Sequence, residues 1–105
     1  MISEDMLRQA ASLVGGQRAK DYGDKTENHQ RIAELWNTWM TERYGNYAFD
    51  LGAYDVAIMM ILMKISRLMH SPGHNDSHVD IAGYAAIAEE IWVKTNPAPE
   101  GSIGP

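Results

Sequence analysis

The chain has 105 residues, 14 Asp and Glu against 9 Lys and Arg for a formal net charge of -5, 45% hydrophobic residues, 7 Met and no Cys. That length fits one domain with a modest core. The lack of cysteine excludes disulfides, a thiolate zinc site and a cysteine nucleophile and fits a reducing compartment, while the acidic balance argues against nucleic acid, whose binding needs clustered Lys and Arg.

The chain begins Met1-Ile2-Ser3-Glu4-Asp5, acidic where a secretory signal would be basic. Its longest apolar run, 56–63, is far short of the roughly 20 residues that span a bilayer. The expectation is a soluble cytoplasmic protein with no membrane partner.

Ser3, followed by Glu4 and Asp5, predicts the start of a first helix, because a hydroxyl caps and carboxylates favour its positive end. Met6, Ala10, Leu13 and Val14 then recur at helical spacing. Gly15-Gly16 weakens this helix, and the stretch 17–21 could resume it before the Tyr22-Gly23-Asp24 turn. A second helix is predicted over 26–43, capped by Thr26, with Ile32, Leu35, Trp36 and Trp39 as its apolar stripe. The loop 44–52 follows, with Tyr47 and Phe49 placed to cover the edge of the core.

A third helix is predicted over 53–70, apolar nearly all round, as in a central or interface-buried helix. Ser71-Pro72-Gly73-His74-Asn75 breaks the chain. The fourth helix is predicted over 76–94, with Ile81, Ala85, Ala88 and Trp92 on one side and Ala82-Gly83 allowing close approach of a neighbour. Residues 96–105 hold three of the four prolines and read as a disordered tail. The expectation is therefore an all-α, four-helix bundle-like domain over 1–95.

Chemistry concentrates where the third and fourth helices meet. Lys64 and Arg67 lie three apart, Asp76 and Asp80 four apart, and Tyr84 a further turn along, so each set shares a helix face. Two carboxylates one turn apart can hold Mg²⁺, and the two cations can hold phosphate oxygens. Spacing alone favours a salt-bridge cluster closing the hairpin, with Asp76 as N-cap.

Glu27, Arg31 and Glu34 share a face of the second helix, either as further metal carboxylates or, the reading that spacing favours, as an exposed ladder. Asn28 can donate to and accept from a base or ribose edge, with Arg18 and Lys20 upstream for phosphate. Gly23 and Asp24 already account for the turn before it. His70, His74 and His78 straddle the Pro-Gly break and read as exposed loop histidines rather than zinc ligands. Met59, Met60, Met63 and Met69 form either a soft binding surface or core shared between subunits.

Taken together, Arg18, Asp21-Tyr22-Gly23-Asp24, Glu27-Asn28, Lys64-x-x-Arg67 and Asp76-x-x-x-Asp80-x-x-Gly83-Tyr84 resemble the small phage and prophage proteins of the MazG-like, all-α nucleotide pyrophosphohydrolase group, over about 6–92. The resemblance implies a bundle that assembles as a dimer or tetramer. It implies Mg²⁺ held by carboxylates and a nucleoside triphosphate cleaved between its α and β phosphates. Carried onto this chain, Glu27, Glu34, Asp76 and Asp80 become the metal set, and Lys64 and Arg67 the catalytic cations that offset phosphate charge. Arg18, Tyr22, Asn28 and Tyr84 join Lys64 and Arg67 in binding substrate.

Better-known members carry E-E-x-x-E on one helix and E-x-x-D on another, and neither string occurs here. The alternatives to hydrolysis are a phage protein that captures a nucleotide or nucleotide-derived signal without turnover, in counter-defence, and a helical protein-interaction module. A phage-encoded protein would act in the bacterial host cytoplasm.

Overall fold

A computed structural model of the chain describes residues 1–16, 24–45 and 50–97. They form four helices: α1 (Ile2–Gly15), α2 (Lys25–Tyr44), α3 (Ala53–His70) and α4 (Asn75–Thr95). The architecture is all-α and bundle-like, as the periodicity predicts. None of these helices is long and apolar enough to cross a membrane.

The helix starts differ instructively from the predicted caps. α1 starts one residue before Ser3, which therefore sits inside the first turn, and Met1 at the N-cap makes no side-chain bond. α2 is capped by Asp24 rather than Thr26: Asp24 Oδ1 accepts from the Glu27 N–H at 2.9 Å. At Gly45, which follows α2, φ is +79°, a backbone region that glycine enters without a Cβ penalty. α3 matches its predicted bounds, and Asp55 Oδ2 accepts from the Gly52 N–H at 2.8 Å to hold its first turn. α4 is capped by His74, so Asp76 lies in the first turn, where the helix dipole favours a carboxylate.

α4 is the central element. α3 packs along it in an antiparallel hairpin, as Tyr54 against Trp92 at one end and Lys64 against Asp80 nearer the other require. α1 lies on α4 in a parallel sense, with Asn75 Nδ2 donating to Gln9 Oε1 at 3.0 Å and a Cβ added at Gly83 lying 3.7 Å from Val14 Cγ1. Gly83 is buried in this contact, the close approach that Ala82-Gly83 predicts. α2 packs mainly on α3. The Asn37 side chain clamps the backbone of Leu51 just before α3, accepting from its N–H and donating to its carbonyl, each at 2.9 Å.

The core is thin. Its buried apolar residues are Ala10, Ala33, Ala53, Val56, Ala57, Val79, Ala88 and Ile91, five of them alanine. Val56 and Ile91 are the largest fully buried apolar side chains, each contributing about 2 kcal/mol.

Two predicted faces are corrected. α2 buries His29 and Ala33, while Leu35 and Trp39 of the predicted stripe are 64% and 66% exposed. The helix is rotated by about one residue, roughly 100°, from the face its large apolar side chains suggest. On α4 the buried residues are Ser77, Val79, Gly83, Ala88 and Ile91, with Ala85 and Trp92 exposed. α3 buries only Ala53, Val56 and Ala57 and leaves most of its methionines in solvent. The resumed helix over 17–21, Tyr47, Phe49 and most of the predicted tail lie outside the described residues.

Candidate functional site at the hairpin end

The α3–α4 hairpin turns through Pro72 and Gly73, and its geometry follows from the backbone groups left unpaired at the start of α4. His74 Nδ1 accepts from the Ser77 N–H at 3.2 Å, and the buried Ser77 hydroxyl lies 2.7 Å from the same nitrogen. His78 Nε2 donates to the Pro72 carbonyl at 3.0 Å, holding the turn from the other side. The three hairpin histidines are thus divided between two capping roles and the exposed His70, with no shared metal geometry.

The His74 tautomer is assigned from the capping bond, with Nδ1 as its acceptor. With the Nδ1 lone pair directed at Ser77, the ring proton sits on Nε2. Nε2 faces Arg67 Nη2 at 3.4 Å. Both atoms are then donors, and the separation is long for a hydrogen bond. Arg67 and His74 therefore present two N–H groups side by side without an acceptor between them, an arrangement that a phosphate or carboxylate oxygen completes.

One turn earlier on α3, Lys64 Nζ stands 2.9 Å from Asp80 Oδ2, and both side chains are about three-quarters buried. The spacing argument anticipated this pairing across the hairpin. Tyr84, a turn beyond Asp80, is engaged elsewhere: its ring meets His29 of α2 edge-on, with centroids 6.3 Å apart and planes at 66°. His29 donates from Nδ1 to the Lys25 carbonyl at 2.9 Å, and burial pushes its imidazole below the ordinary histidine value. Its Nε2, like Thr26 Oγ1 one turn before, is buried with no hydrogen-bond partner.

The remaining expected residues are placed as follows. Asp76 is exposed, one turn before Asp80 on α4; Glu27 and Glu34 are exposed on α2, two turns apart; Asn28 is half-buried beside them. Arg18 and Tyr22 lie outside the described residues. Among the described residues no group of three His, Asp or Glu side chains gathers to hold a metal ion. A resident metal held by Glu27, Glu34, Asp76 and Asp80 together therefore does not fit a single chain. Asp76 and Asp80 lie one turn apart on α4, with Asp80 held by Lys64.

His74 and Ser77 were not singled out as site residues from the sequence. The usable signal was His74-x-x-Ser77 directly after Pro-Gly, an N-cap pattern that turns the imidazole back toward α3. At the opposite end of the hairpin, a groove of about 400 Å³ is lined by Tyr54, Ile58 and Ile61 of α3 and by Ala85, Ala88, Glu89 and Trp92 of α4. It is apolar apart from Glu89 and lies away from the Arg67–His74 cluster.

The fold and site define an all-α helical protein with a guanidinium and an imidazole side by side at the turn of its central hairpin. The chain belongs to the family described as a domain of unknown function, DUF6378, whose model matches residues 5–92. It is 45% identical over 86 residues to the Gene 55 protein of Mycobacterium phage L5, covering 82% of this chain and 51% of that protein. It is 38% identical over 91 residues to the Gene 55 protein of Mycobacterium phage D29, covering 87% of this chain and 56% of that protein. The chain thus spans about half the length of these curated relatives. No solved structure matches it. The relatives agree with the phage side of the resemblance, while the matching family is DUF6378 and not a MazG family.

Proposed function

We propose that this protein binds a phosphorylated nucleotide at the α3–α4 turn, and that Mg²⁺-assisted pyrophosphohydrolysis is the reaction to be tested there. One contact carries the binding reading: Arg67 Nη2 lies 3.4 Å from His74 Nε2, and with His74 Nδ1 assigned as the cap acceptor both nitrogens face the turn as donors. A planar guanidinium beside an imidazole N–H suits an anionic phosphate oxygen. Lys64, paired with Asp80, adds a positive charge one turn away that incoming phosphate can draw off its carboxylate. Mg²⁺ bound to the phosphates would offset their charge, and Asp76 and Asp80, one turn apart on α4, are the carboxylates proposed to meet it.

A second reading, capture of a nucleotide without turnover, is favoured by the absence of any three convergent carboxylates or imidazoles among the described residues. Calorimetry with a panel of ribo- and deoxyribonucleotides, with and without Mg²⁺, followed by a pyrophosphate assay on the same mixtures, separates the two. Binding with pyrophosphate release supports the hydrolase and binding with intact ligand supports capture. If no nucleotide binds, or if Arg67→Ala binds as tightly as the parent chain, the site is wrongly assigned.

A further inference from the structure

We propose that the groove at the far end of the α3–α4 hairpin binds a small organic cation, an alkylated ammonium of the choline type. Its aromatic walls are Tyr54 of α3 and Trp92 of α4, which meet at 64° with ring centroids 5.2 Å apart. Both rings line the groove and keep accessible surface, 37% and 53% exposed. A cation is attracted to a ring face from within about 6 Å of its centroid, most strongly to tryptophan. With the centroids this close and the planes steeply inclined, one ammonium seated in the corner reaches both rings at once.

Glu89 decides the sign of the ligand's charge. It lies three residues before Trp92, so it shares that face of α4, and it lines the same groove. The neighbouring Glu90 is held by Lys25 and Lys94, each at 3.8 Å, whereas among the described residues Glu89 pairs with no Lys, Arg or His. A wholly apolar occupant would strip water from this carboxylate and return nothing, while a cation pairs with it. An anion is repelled both by Glu89 and by the net charge of -5.

The remaining walls set the size and alkylation of the cation. Ile58 and Ile61 make the α3 side of the groove aliphatic. A hydrated metal ion gains nothing from such walls, whereas methyl groups on a nitrogen shed water against them. The groove's volume of about 400 Å³ falls at the small end of ligand sites, roughly 300–1,000 Å³, and so suits a free small molecule. The site is separate from the Arg67–His74 cluster and does not depend on the nucleotide reading.

Titration of the full chain with choline tests the site, read by calorimetry and by the indole N–H resonance of Trp92. Saturable binding at millimolar concentration is expected, with the uncharged carbon isostere, a tert-butyl group in place of trimethylammonium, at least about fivefold weaker. Trp92→Ala is expected to weaken choline binding about tenfold and Glu89→Gln about threefold. Trp92→Phe keeps a ring, spares the fold and should lose a smaller part of the affinity. Glu42→Gln, at an exposed position on α2, should change nothing. Circular dichroism on each variant reports whether the helices persist. A parent chain without saturable binding overturns the proposal, as does an isostere that binds equally, since the groove is then merely apolar. Parent-like affinity in both folded Glu89→Gln and folded Trp92→Phe, or an equal loss in Glu42→Gln, puts the cation elsewhere and overturns it too.

Discussion

Lys64 Nζ lies 2.9 Å from Asp80 Oδ2, and among the described residues this is the one ion pair that joins α3 to α4. Both partners are only about a quarter exposed, so side-chain entropy and salt screening erode the pair less than they would a surface bridge. A double-mutant cycle with Lys64→Met and Asp80→Asn is expected to give a coupling of about 1 kcal/mol in chemical denaturation. A coupling indistinguishable from zero would reduce the pair to coincident neighbours.

Asn37 offers a sharper stability test. Its amide makes both hydrogen bonds to Leu51 and thereby fixes where the chain leaves the α2–α3 connection to start α3. Asn37→Ala removes both and leaves the partly buried Leu51 N–H and carbonyl to find water. A loss of about 2 kcal/mol is expected, read as a lowered denaturation midpoint with helix content otherwise kept.

Gly83 makes the opposite prediction. It sits in mid-helix facing Val14, and an added Cβ would lie 3.7 Å from Val14 Cγ1, an ordinary contact. Gly83→Ala is therefore expected to stabilise, by up to about 1 kcal/mol, because alanine loses less backbone entropy in a helix. Gly83→Leu must displace α1 and is expected to destabilise. Thermal melts of the two variants should move in opposite directions.

His29 predicts a dependence on pH. Burial holds its folded-state pKa below the ordinary value of 6.5, so the unfolded chain takes up the proton first as pH falls. Stability is full above about pH 6.5 and declines as pH drops from there toward the lowered folded value. His29→Phe, which keeps a ring against Tyr84, should flatten the denaturation midpoint between pH 7.5 and 5.5. Asp24, its pKa lowered chiefly by the Glu27 N–H, acts in a separate window: its contribution is lost only as pH falls below 3.8. Asp24→Ala should leave the His29 window untouched.

Where the sequence was legible and where it was not has a physical pattern. The bounds of α3 were readable because Gly52 and Ser71-Pro72 punctuate an apolar run on both sides. The Lys64–Asp80 pairing was readable because helical spacing and a short antiparallel turn together fix which faces meet. The buried face of α2 was legible only in part: Ile32 and Trp36 of its apolar stripe are half-buried, but Leu35 and Trp39 face solvent, while the interior is given to Ala33 and a histidine. Periodicity assumes that the largest apolar side chains mark the core, and this chain leaves many of them outside. The Arg67–His74 donor pair was hidden because it spans the Pro-Gly break, where no helical register applies.

α1 touches only α4 among the described helices, through the Gln9–Asn75 bond and the Val14–Gly83 contact. The α2–α3–α4 unit can therefore keep its contacts while α1 lifts away, so the opening of α1 need not wait for global unfolding. Its amide protons should exchange with deuterium through that cheaper local event, well ahead of those around Val79 to Ile91. Gln9→Ala should speed exchange in α1 and leave the rates in α3 unchanged.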